Sequence, residues 1–185
     1  MRRSAAARDG HDMTDRLKQF SLAPPQTRML VCADGSTTVL LDALIGERVS
    51  VRVDHQRRVP AARVRHIACH ILGASPGTLV IDRQSSILTS GKDVISVNRV
   101  VIAGRDSQKL IPPPEQPLGP YLKTAGFTLT REPIGVSRDI WPLDSVAPEC
   151  VSKKYIINCG SAGRVYVHEK FNPGFVPLGR DGSSV

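Results

Sequence analysis

Apolar and polar positions change their period several times along the chain, and each change marks an element. In "DGSTTVLLDALIGE" (34–47) the apolar residues recur at helical spacing. Ser36 or Thr37 can cap the start of this helix and Gly46 its end, with Val39, Leu40, Ala43 and Leu44 on the expected apolar face. "VSVRV" (49–53) then alternates with the period of two that a strand requires. Residues 54–62, "DHQRRVPAA", read as a polar connection. The clearest pattern spans 78–103, where "TLVIDRQSSILT" and "DVISVNRVVIA" flank Ser90-Gly91-Lys92 as the two arms of a hairpin. A proline-rich loop fills 104–117. Residues 118–125 suit a short helix, with Pro117 at its first turn and Gly126 behind it. A strand follows near 127–138, then a loop holding Trp141 and two prolines. The pattern closes on a second hairpin, "KKYIINC" and "RVYVHEKF" around a "GSAG" turn.

About six strands, mostly hairpin-linked, with a few short helices imply an α+β fold on an antiparallel sheet. Residues 1–26 read as a flexible basic arm, 27–178 as one domain and 179–185 as a flexible tail.

Side chains two apart on a strand share a face. In the first hairpin strand one face carries Leu79, Ile81, Arg83, Ser85 and Ile87, and in the last strand one carries Val165, Val167, Glu169 and Phe171. Arg83 and Glu169 therefore point inward by register. A buried charge is costly unless paired. The two could pair with each other or with neighbours, or they could line a closed pocket with one cation and one carboxyl group. The helix starts at Ser36 and at Pro117-Leu118-Gly119 expose backbone N–H groups, which suit a carboxylate or phosphate.

The 185 residues suit one sizeable core, and 41% hydrophobic with 23% charged residues is the balance of a water-soluble domain. No apolar run approaches the roughly 18 residues of a membrane span, and the first residues lack an apolar signal segment. A cytoplasmic protein with no membrane partner is expected. The four cysteines form no CxxC pair and are expected to be free thiols. "HIACH" (66–70) could offer two histidines to a metal, but it lacks the Glu of a zinc-protease helix, and ordinary packing is the expected reading. The net charge is +8, yet the 25 basic residues are spread along the chain and aromatics are only 4%. No nucleic-acid partner is expected on that ground; a small anionic ligand and a monomer are.

Four ordered pieces resemble the chorismate–pyruvate lyase family: "DGSTT", "DRQSSILTSG", "PLGPYLKTAGFTLTREPIGVSRD" and "VYVHEKFNP", together spanning about residues 28–175. The resemblance implies an antiparallel sheet with short helices on one side enclosing a buried pocket. It implies a lyase that releases pyruvate from chorismate to leave 4-hydroxybenzoate or a closely related hydroxybenzoate, with no cofactor and no metal. It gives Arg83 and Glu169 catalytic roles, Arg83 at the ring carboxylate and Glu169 at the oxygen-bearing end. The amides near Ser36, Leu118 and Gly119 would help hold the carboxylate, and Arg131 and Arg138 are positioning candidates; surface charge or a salt bridge is the alternative for both and the favoured reading for Arg138, beside Asp139. The same fold serves as the effector-binding half of GntR-type transcription regulators. The alternative expectation is therefore a non-catalytic module that binds a small aromatic acid.

Overall fold

A computed structural model describes residues 20–179. The expected tail beyond 179 and the first part of the expected arm lie outside these residues. The later part of that arm, residues 20–26, belongs to the packed body. Phe20 and Ala23 are buried, and helix α1 begins at Pro25 (Pro25–Cys32). Proline there supplies a fixed φ at the first turn, where no N–H partner is needed.

The elements in order are α1, α2 (Thr37–Ile45), β1 (Ser50–Pro60), β2 (Leu79–Leu88), β3 (Val94–Ala103), α3 (Leu118–Thr124), β4 (Thr130–Ile140), β5 (Glu149–Asn158) and β6 (Arg164–Phe171). All six strands form one antiparallel sheet in the order β1-β2-β3-β6-β5-β4. Both expected hairpins are present. The first turns through Lys92 at φ 68°, closed by the Thr89 amide on the Asp93 carbonyl. The α+β expectation is met.

Two local expectations change. The stretch read as a connection from 54 onward is the second half of β1, which pairs with β2 as far as Pro60 and Leu79. An edge strand tolerates that polar sequence, because one side of its ladder and much of its surface face water. Helix α2 runs as expected from Ser36, which holds the N-cap position without a side-chain cap bond, to Gly46 at φ 80°, but it buries Thr37 and Leu41 and leaves Val39 58% exposed. Its sequence is apolar nearly all round, so packing selects the face rather than the pattern. The "HIACH" segment is a short π-helical turn (His66–Ile71) packed through the fully buried Ala68.

Three apolar clusters hold the sheet. One face carries two of them. At one end α1 and α2 pack Leu30, Val31 and Leu41 over Ile87, Val151 and Phe171. At the other, α3 packs Leu122 over Ile81, Val100, Ile157 and Val165. The opposite face is covered by the turns after β1, with Ala61, Ala68 and Leu72 against Val80, Val101 and Tyr166. All four cysteines are free, and burial pushes the Cys150 and Cys159 thiols up to about 11.

Candidate functional site

Between the two apolar clusters on the helix-bearing face, the sheet carries a band of polar side chains. Register explains their meeting. Arg83 on β2 faces Val100 on β3, Asn98 on β3 faces Glu169 on β6, and Glu169 faces Lys153 on β5. Partners across a ladder share a face, so Arg83, Asn98, Glu169 and Lys153 lie on one side. The N-termini of α2 and α3 close over this band. The resulting cavity is lined by Ser36, Thr37, Arg83, Leu118, Arg131 and Glu169, among others. The centre of a water-sized sphere can move through about 50 Å³ inside it, several times the roughly 10–15 Å³ that one water needs.

Arg83 is 2% exposed. Its Nη1 donates to Gln56 Oε1 at 3.1 Å and to the Pro112 carbonyl at 3.4 Å. Among the described residues no carboxylate pairs with it, and burial holds its pKa below the usual arginine value. Glu169 is 7% exposed and accepts the Thr37 hydroxyl at 2.8 Å. Burial pushes its carboxyl up, against the opposing charge of Lys153 and the Thr37 bond. No ion pair joins Arg83 to Glu169 among the described residues, so a mutual pair does not account for their burial.

Lys153 is spoken for: its Nζ donates to the carbonyls of Leu30 and Ala33, which end α1. The ammonium thus fastens the helix terminus to the sheet. Arg131 donates Nη1 to the Asp34 carbonyl at 2.9 Å, while its Nε is buried without a partner. A Cβ added at Gly119 would meet Arg131 Nη2 and Ser36 Oγ, each at 3.4 Å, so these three positions converge. Arg138, by contrast, pairs with Glu149 at 3.0 Å on the surface, as expected.

All six residues singled out in the sequence, Ser36, Arg83, Leu118, Gly119, Arg131 and Glu169, thus line one cavity. Others were missed. Asn98, whose Oδ1 is buried without a partner, and Tyr155 both line it too. The signal was available, since Asn98 alternates with Val100 and Ile102 on β3 just as Arg83 alternates with apolar residues on β2. Gln56 escaped because its segment read as a connection. Among the described residues no group of three or more His, Cys, Asp or Glu side chains could hold a metal ion, and no helix is long and apolar enough to cross a membrane.

No family model matches the chain, and no curated protein matches it. Solved structures do. The C-terminal domain of the histidine utilization repressor from Pseudomonas syringae is 12% identical at a TM-score of 0.55, covering 74% of this chain and all of that one. The effector domain of PhnF from Mycobacterium smegmatis is 11% identical at 0.58, covering 77% and 91%. This is the chorismate lyase-like fold. The ligand-binding domain of a GntR-family regulator from Bordetella bronchiseptica adds 10% identity at 0.52, covering 75% and 91%.

These matches correct two expectations. The lyase assignment is overturned, since the similar structures are a repressor domain, an effector domain and a regulator's ligand-binding domain. The expectation of no nucleic-acid partner loses its footing for the same reason, because a repressor and a transcription regulator carry this fold.

Proposed function

We propose that the domain is an effector-binding module that captures a small single-ring carboxylic acid and does not transform it. One observation carries this reading: Arg83 is a cation buried to 2% exposure in a cavity, and the hydrogen bonds it donates go to neutral acceptors. Leaving such a charge uncompensated costs several kcal/mol. A carboxylate entering the cavity compensates it by a charge-assisted, two-pronged bond. Ile87, Val100, Ile157 and Val167 supply apolar walls for a ring. Glu169 and the unpartnered Asn98 oxygen supply acceptors for a hydroxyl at the far end.

Calorimetric titration with 4-hydroxybenzoate tests the reading. Saturable binding at one site per chain is expected, weaker for benzoate and lost for 4-hydroxybenzyl alcohol, which lacks the carboxylate. Equal affinity for the acid and the alcohol would sink the assignment of Arg83 as the anion partner. Incubation with chorismate is expected to release no pyruvate.

A further inference from the structure

The sequence looks evenly basic, but the fold gathers one run of charge onto one edge. Residues 55–70, "HQRRVPAARVRHIACH", hold four arginines, three histidines and no acidic residue. They form the end of edge strand β1 and the two tight turns after it. The apolar residues of this stretch, Val59, Ala61 and Ala68, are buried against the sheet. That anchors the backbone and leaves Arg57, Arg58, Arg63 and Arg65 all exposed. Elsewhere some cations are paired, Arg52 with Asp54, Lys109 with Asp106 and Arg164 with Glu132, while Arg48, Lys92, Arg105 and Lys123 are exposed and scattered singly over other elements. None of the run's four arginines has an ion pair among the described residues.

We propose that Arg57, Arg58, Arg63 and Arg65 form a contact surface for the phosphate backbone of double-stranded DNA. Arg57, opposite Asp82, shares the sheet face covered by the turns that carry Arg63 and Arg65, and Arg58, opposite Ile81, stands on the other side of the same edge; guanidinium groups along an open edge suit phosphates, which arginine's planar fork matches in pairs of hydrogen bonds. The run holds no Phe, Tyr or Trp. Single-strand binders need such platforms for stacking bases, so their lack here favours the duplex. Nothing in the run is arranged to enter a groove and read base edges, so the contact is to backbone and independent of sequence.

The test is anisotropy of a labelled random-sequence duplex of 20 base pairs with the full chain, across salt concentration. Four phosphate contacts give a slope of log K against log salt of about −3.6. Changing all four arginines to glutamine is expected to flatten that slope and to weaken binding at least about tenfold at low salt. The paired variants, R57Q with R58Q and R63Q with R65Q, are each expected to remove about half of the slope, which keeps the test sound should the fourfold variant fold poorly. A control variant, K92Q, R105Q, K109Q and K123Q, has the same net charge and is expected to bind as the parent does. Unchanged binding in the paired variants overturns the proposal and leaves the arginines as guards of an open sheet edge. Equal loss in the control overturns it as a mere effect of net charge. Arginine-dependent binding to vesicles of anionic phospholipid, with no binding to the duplex, overturns it in favour of a membrane surface.

Discussion

Arg83 holds its charge where water scarcely reaches, and its contacts with Gln56 and Pro112 are to neutral oxygens. That makes it costly without a ligand and valuable with one. Arg83→Ala is expected to weaken 4-hydroxybenzoate binding by about 2–5 kcal/mol, the usual loss when one side of a buried charge pair is removed. Arg83→Met is expected to raise the stability of the ligand-free protein in urea, because apolar volume replaces an unpaired buried charge. A destabilised Arg83→Met protein would mean that the arginine is structural. Glu169 gives a prediction with a definite sign. Burial raises its pKa above the ordinary carboxyl value. Its folded form thus favours the proton, and the stability this contributes is complete below about pH 4.3, the unfolded value. It is lost as pH rises through the raised folded value. Glu169→Gln, which cannot ionise, is therefore expected to melt higher than the parent at neutral pH, with the gap closing in acid. Melting curves on both proteins between pH 4 and 8 check this, and a gap that widens toward acid would reverse the assignment.

The polar band reaches the cavity only because whole strands hold their register. β6 pairs on both sides, with β3 and with β5, and it starts after a short turn (Gly160–Ala162). That turn ends at Gly163, φ 146°, whose added Cβ would lie 2.3 Å from the Ala103 carbonyl oxygen. Gly104, φ 144°, meets Gly163 from the other side, with its added Cβ 2.4 Å from the Gly163 Cα. The two glycines let the ends of β3 and β6 approach closely, and this seats Glu169 opposite Asn98. Gly163→Ala is expected to cost about 1–3 kcal/mol in urea unfolding, the range for an overpacked site, and to weaken ligand binding as β6 shifts. Unaltered stability would show that the turn yields freely. A one-residue slip anywhere along β6 would turn Glu169 to the other face.

At the scale of the whole domain, the cavity lies between two apolar clusters that share one sheet face, one under α1 and α2 and one under α3. A ligand there touches the start of α2, the start of α3 and the sheet together. Binding to the folded state alone stabilises it by about 2.7 kcal/mol at a hundred times Kd. For a domain of this size that is expected to raise Tm by about 5–10 °C. Thermal melts with 4-hydroxybenzoate measure it, and the Arg83→Ala protein is expected to show almost none of the shift. A full shift in that variant would place the ligand elsewhere.

The hairpins, the two ends of α2 and the inward register of Arg83 and Glu169 were legible in the sequence, because each depends on neighbours one to four positions apart. Alternation of period two and a Ser or Gly at a helix end are local facts of steric fit and hydrogen bonding. The order of the strands, the length of β1 and the buried face of α2 were not legible, since each depends on partners far along the chain. Residues 54–60 are polar enough for a loop, and only pairing with β2 makes them a strand. The same holds for function. The chain alone showed two inward charges and allowed that they neutralise each other. Tertiary structure separated them, gave Glu169 to Thr37 and left Arg83 with neutral oxygens. A charge pair is a question of distance across the sheet, and spacing along one strand cannot answer it.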